Sequence, residues 1–139
     1  MIKTYKGLIT NLPENGIFVF GSNTQGRHGA GAALVARERF GAIYGKNSGI
    51  QGQSYGIITK DLTKNIHPSI SKDFIIDQID YLYEFAKDYT DKLFYIAYSG
   101  SGQNLNYYTP QEMADMFSFY KIPENIVFEE EFSKLLKIK

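Results

Sequence analysis

The chain has 139 residues, no cysteine and a formal net charge of +0, with 43% hydrophobic and 22% charged residues. These figures exclude disulfides and thiolate metal sites, supply no global field to draw in nucleic acid, and fit one globular domain spanning 1–139 with a real core. The opening Met-Ile-Lys-Thr-Tyr-Lys has no signal-like apolar centre and no run approaches a membrane span, so a cytoplasmic protein without a membrane partner is expected.

Eleven tyrosines and ten phenylalanines, with no tryptophan, make the chain rich in aromatics. Most belong in a core, and some could stack on a base or ribose. Ile2 to Thr10 alternates weakly and predicts a first strand, with Leu12 to Gly16 as the turn after it. Ile17 to Phe20 is a short apolar run suited to a buried strand. Ala30 to Phe40 carries helix formers without proline and ends at Gly41, a ready left-handed cap. Between strand and helix lie Gly21, Ser22, Asn23, Thr24, Gln25, Gly26, Arg27, His28 and Gly29, followed by Ala30 and Gly31. A strand, a glycine-rich polar loop and a helix N-terminus together suit phosphate, because free N–H groups and the helix dipole favour an anion. A plain strand-to-helix turn is the alternative, but it needs one or two glycines and this one has four.

Residues 42–53 hold Gly45, Gly49 and Gly52 among polar residues and predict a loop. Ser54 to Lys60 reads as a second strand. After Pro68, Ser69 or Ser71 can cap a helix with Asp73 in its first turn. Ile75, Ile79, Leu82 and Ala86 share one face of that helix, of about four turns, and its acidic residues form a solvated face. Leu93 to Tyr98 is a third apolar run, leading directly into Ser99-Gly100-Ser101-Gly102-Gln103-Asn104. Thr109-Pro110-Gln111-Glu112 is a capping box with proline at the first helical position, and Met113, Met116, Phe117 and Tyr120 follow at core spacing. Asn125 to Phe128 predicts a further strand, and Phe132 to Ile138 a short closing segment. Alternating strands and helices indicate an α/β layered domain with a largely parallel sheet. In such a sheet the loops leaving the strand C-termini share one edge, where ligands bind. Three of these exits are polar: Gly21 to Gly31, Lys60 onward, and Ser99 to Asn106.

Familiar nucleotide motifs do not fit. Gly29-Ala30-Gly31 and Gly100-Ser101-Gly102 each begin like a dinucleotide fingerprint and lack its third glycine. No lysine–hydroxyl pair closes a P-loop after Gly26 or Gly41, and Ser101 is not a nucleophile elbow, because position 99 is serine where that motif has glycine. Two histidines are too few and too far apart to suggest zinc. His28 suits a loop contact or ligand neighbour and His67 a surface position, so neither a metal nor a cofactor is expected.

Three stretches in register do resemble the macrodomains: Gly7-Leu8-Ile9-Thr10, Ile17 to Asn23, and Gly29 to Leu34. The closest branch is the terminal ADP-ribose protein glycohydrolases, which share a Gly-Ala-Gly helix start. They also share a strand end like Ile57-Ile58-Thr59-Lys60 and a glycine loop like Gly100 to Asn104. The resemblance runs from about residue 5 to 120 and implies a three-layer α/β/α macrodomain-like fold with a mixed, largely parallel central sheet. It implies an ADP-ribose-like small molecule or an ADP-ribosylated protein as partner. Ligand contacts would come from Gly21, Ser22, Asn23, Arg27, His28, Gly29, Ala30, Gly31 and Thr59. Ser99, Gly100, Ser101, Gly102 and Gln103 would add the third exit, with Lys60 and Asn104 as the catalytic pair.

Two positions differ from the family pattern. Leu8 stands where the family has the aspartate that holds the adenine amino group, and Asn104 where the branch pairs an aspartate with its nucleophilic lysine. Two functions therefore stand side by side: an ADP-ribosyl hydrolase acting through Lys60, and a non-enzymatic module that sequesters or senses a nucleotide signal. An RNA or protein interaction domain is a third, though the even charge supplies no basic stripe.

Overall fold

The computed structural model describes residues 2–98 and 107–137. In chain order the elements are β1 (Lys3–Tyr5), β2 (Gly16–Asn23), α1 (Gly31–Arg39), β3 (Gly49–Gln51), β4 (Ser54–Lys60), α2 (Lys72–Asp88), β5 (Leu93–Ile96), α3 (Pro110–Phe117), β6 (Ile126–Glu129) and α4 (Glu130–Ser133). The strands form one sheet in the order β1-β6-β5-β2-β4-β3. Every neighbouring pair is parallel except β3 with β4, so the sheet is mixed and largely parallel, as expected.

The layering follows from β2, whose side chains alternate between two cores. Ile17 and Val19 join the larger core with Ile75, Ile79 and Leu82 of α2, Met116 of α3 and Phe132 of α4. Phe18 and Phe20 join a smaller core with Ala33 and Ala36 of α1 and with Phe40, which stacks on Phe18 at 4.9 Å. Helices therefore cover both faces, giving three α/β/α layers.

Local chemistry sets the helix ends. Ser71 caps α2 by accepting from the Phe74 N–H at 3.2 Å, while Ser69 instead accepts from the Asp61 N–H at 2.8 Å. The stripe Ile75, Ile79, Leu82 and Ala86 is wholly buried. Burying a large aliphatic side chain of this kind stabilises by about 1.5–3 kcal/mol. The helix runs for 17 residues, nearly a turn longer than its stripe suggested. The predicted capping box at Thr109 is formed in both directions, at 3.1 and 2.9 Å. At the far end of α2, the Asn125 amide donates to the carbonyls of Ala86, Tyr89 and Lys92 at 2.9 to 3.2 Å. One side chain thus closes the helix C-terminus and fixes the start of β6.

Several expectations change. The first strand shrinks to three residues, and the supposed loop 42–53 contains β3, an edge strand paired through its backbone. Tyr120 is 42% exposed because α3 stops at Phe117. The closing segment is the short α4, starting at Glu130. Beyond β3 the outer edge of β4 is occupied by a side chain. The Gln78 amide accepts from the Ile58 N–H and donates to the Ile58 C=O, both at 2.7 Å, as a neighbouring strand would.

Replacing Asn125 by alanine should leave the carbonyls of Ala86, Tyr89 and Lys92, at the end of α2 and in the turn after it, without this donor. We expect Asn125→Ala to lose about 1–3 kcal/mol of stability, read as a lower urea midpoint at unchanged slope. An unaltered midpoint would show that water serves those carbonyls equally well.

Candidate functional site

The five parallel strands bring their C-terminal ends to one edge, and two central neighbours send their chains in opposite directions there. From β2 the chain passes over one face through α1 and returns at β4; from β5 it passes over the other face through α3 and returns at β6. An opening between diverging exits is where open α/β sheets take ligands.

The β2 exit is built mainly by its own polar residues. The Asn23 side chain accepts from the Arg27 N–H at 2.9 Å and donates to the Arg27 C=O at 2.7 Å, locking the turn 23–27. Its amide is thus already used inside the loop. Gly26 has φ +66°, and a Cβ there would lie 2.5 Å from the Gly45 carbonyl carbon, with the Gly45 N–H donating to the Gly26 C=O at 2.8 Å. This glycine exists for loop-to-loop packing, so the count of four overstated the case for phosphate. Gly21 is exposed, and Thr59 is buried beside it with its hydroxyl donating to the Ser22 C=O at 3.3 Å. The Ser22 hydroxyl is buried and has no hydrogen-bond partner among the described residues. Arg27, Gly29, Ala30 and Gly31 are exposed. Ala30 occupies the N-cap position of α1, where no side-chain bond is made, and Gly31 takes φ +58°. Among the described residues, no side chain caps the first N–H groups of this nine-residue helix.

At the β4 exit, Lys60 is half-buried and lies beside Asn23 in the parallel register, with the Thr24 N–H donating to its C=O at 3.0 Å. Its Nζ sits 5.6 Å from the centroid of the Tyr107 ring. Asp61 next to it accepts from the Thr63 hydroxyl at 2.6 Å, the Thr63 N–H at 2.9 Å and the Thr24 hydroxyl at 3.1 Å. Those hydrogen bonds, Thr63's first, hold its carboxyl below the ordinary carboxylate range. Gln25 accepts from Thr24 at 2.7 Å and from the Leu62 N–H at 3.3 Å, so the β2 and β4 exits are tied together.

The third exit is described only at its ends. Ser99, Gly100, Ser101, Gly102, Gln103 and Asn104 lie outside the described residues. Beyond them, Tyr107 stacks on His67 at 4.6 Å and 13°, so His67 is a half-buried brace and not the surface residue expected. Tyr107 has φ +69°, a left-handed conformation costing a bulky residue about 1–2 kcal/mol. Sequence reading missed Tyr107, and a Tyr-Tyr pair before a helix cap carries no signal for it. At the β1 exit, Leu8 is 70% exposed and borders an open depression of about 220 Å³ lined by Tyr5, Ile9, Leu12 and Tyr95. The Tyr5 hydroxyl donates to the Ile96 C=O at 2.6 Å, and burial first, then Glu129, pushes its pKa up.

His28 is fully covered, lying edge-on to Phe20 at 5.3 Å and to the exposed Tyr44 at 6.3 Å. Neither ring nitrogen has a hydrogen-bond partner among the described residues. Burial pulls its pKa below 6.5; the Lys46 backbone, short of hydrogen-bond geometry, pulls the other way, and the Arg37 charge adds to the lowering. A folded-state pKa below the unfolded one means that only the unfolded chain takes up a proton as pH drops through 6.5. Stability should be complete above that pH and fall progressively toward the lower folded pKa. Urea midpoints measured between about pH 7.5 and 5 should show this slope, and His28→Gln should flatten it. An identical slope in the variant would place the effect elsewhere.

Comparison with protein-family models, with curated proteins and with solved structures gives no match.

Proposed function

We propose that the chain binds ADP-ribose or a related nucleotide diphosphate sugar in the opening between the β2 and β5 exits. The observation that carries this reading is the N-terminus of α1, which no side chain among the described residues caps and which follows the polar loop leaving β2. A helix start presents free N–H groups and the positive end of its dipole, equivalent to roughly half a charge. A pyrophosphate accepts from such groups, and Lys60 beside Asn23 adds a cation at the same edge. The macrodomain resemblance supports this ligand class, because its three motifs fall on the β1 exit, on β2 and on the start of α1.

Two modes of action follow. As a hydrolase, Lys60 would attack the anomeric carbon of the distal ribose, displacing the modified side chain and forming a covalent intermediate that water releases. Asn104 cannot carry the proton that an aspartate would, although its amide can orient a hydroxyl or a water. As a binder, the same contacts hold the ligand without turnover. The amide at 104 and the placement of Lys60 against an aromatic ring favour the binder.

Calorimetry with ADP-ribose tests the site. Gly31→Val should abolish binding in a chain that still unfolds cooperatively, because a branched side chain resists φ +58° and displaces the N–H groups. Unchanged affinity in that folded variant would remove the α1 start from the site. Turnover is tested by single-turnover release of ADP-ribose from a glutamate-modified protein. General acid–base help is typically worth about 10²–10⁴-fold, so the natural chain should be slow and Asn104→Asp faster by part of that factor. Adding Lys60→Ala should erase the gain. Rapid release by the natural chain would defeat the binder reading.

A further inference from the structure

We infer that Tyr107 is a positioning residue for Lys60: its ring, braced by His67, holds the ammonium at the end of β4 as the cation that meets an anionic ligand. The ligand in this statement rests on the function proposed above, whereas the positioning rests on geometry alone.

Tyr107 is 51% exposed, so burial does not account for its left-handed backbone. What that conformation achieves is visible in its neighbours. In an extended chain, successive side chains point to opposite sides. Here the Tyr107 ring stacks on His67 while the Tyr108 hydroxyl donates to the Ile70 C=O at 2.6 Å. Two consecutive side chains therefore grip one segment, residues 67–70, and the turn at Tyr107 permits it. The grip fixes the ring from below and leaves it within 5.6 Å of Lys60 Nζ. A backbone outlier maintained by its surroundings at a ligand edge is a feature expected of working residues.

Among the described residues, Lys60 has few other anchors. Among the described residues, none of the ion pairs involves it, and the adjacent Asp61 is occupied by Thr63 and Thr24. An ammonium against a ring face is attracted by the ring's quadrupole and is left free to donate its N–H groups to an anion on the open side. An amine acting as a nucleophile would have to give up this contact. The array thus gives Lys60 the part of an anion clamp, with Tyr107 setting where the charge stands.

The positioning can be read without any ligand. Lysines are dimethylated with ¹³C-formaldehyde, which keeps their charge, and the Lys60 methyl resonance is assigned by its loss in Lys60→Arg. We expect an upfield ring-current shift for Lys60 that persists in Tyr107→Phe and disappears in Tyr107→Leu. His67→Ala should reduce it by loosening the ring, which guards against a single variant that fails to fold. With ADP-ribose as probe, Tyr107→Leu should bind about two- to fivefold more weakly, as loss of one cation–π contact implies, and Tyr107→Phe should match the natural chain. A Lys60 shift unchanged in Tyr107→Leu overturns the inference, and so does a Tyr107→Phe variant that behaves like Tyr107→Leu. If ADP-ribose fails to bind the natural chain while the shift is present, the proposed ligand falls and the positioning stands.

Discussion

A strand that is apolar on both faces has to be covered twice, and β2 is such a strand in the middle of this sheet. Ile17 and Val19 need the α2–α3 layer, while Phe18 and Phe20 need α1. Once those demands are met by parallel crossovers, the chain has little choice about where its loops go. The connection after β2 runs through α1 on one face and that after β5 leads to α3 on the other, so two neighbouring central strands feed opposite layers. Burial of a few side chains in β2 is therefore what sends the two connections to opposite faces.

The parts legible in the sequence were those whose cause is local. The stripe of α2, the capping box at Thr109 and the run Ser54 to Lys60 each contain their own explanation within a dozen residues. β3 was hidden because it is three residues among glycines and polar groups, held through backbone pairing with β4. Tyr120 fitted the spacing of α3 but lies past its last turn, since periodicity does not mark where a helix stops. His67 looked like a surface histidine because its partner, Tyr107, is forty residues away in the chain.

The candidate site was legible in outline and less so in the roles of its residues. The parallel strands do bring the C-terminal ends of β2 and β4, with their polar residues, to one edge of the sheet. What the residue types could not tell is how many of them are consumed by the loops themselves. Asn23 and Gln25 spend their amides on Arg27, Thr24 and Leu62, and Gly26 serves the packing against Gly45. This internal wiring has a use of its own. It ties the β2 and β4 exits into one body, through Gln25 accepting from Thr24 and from the Leu62 N–H.

The amide of Gln78 on the backbone of Ile58 has a consequence for how the molecule behaves among its neighbours. Where β3 ends, β4 would otherwise present a bare N–H and C=O on its outer side, the kind of template on which a second chain can pair. Because the plug belongs to α2, edge protection and core burial are lost together. A fluctuation that lifts α2 would bare the strand edge and the stripe Ile75, Ile79 and Leu82 at the same moment, a combination prone to self-association. Docking of this one helix is then a safeguard against aggregation as well as a source of stability, and partial opening of α2 would be more hazardous than fraying at β1 or α4.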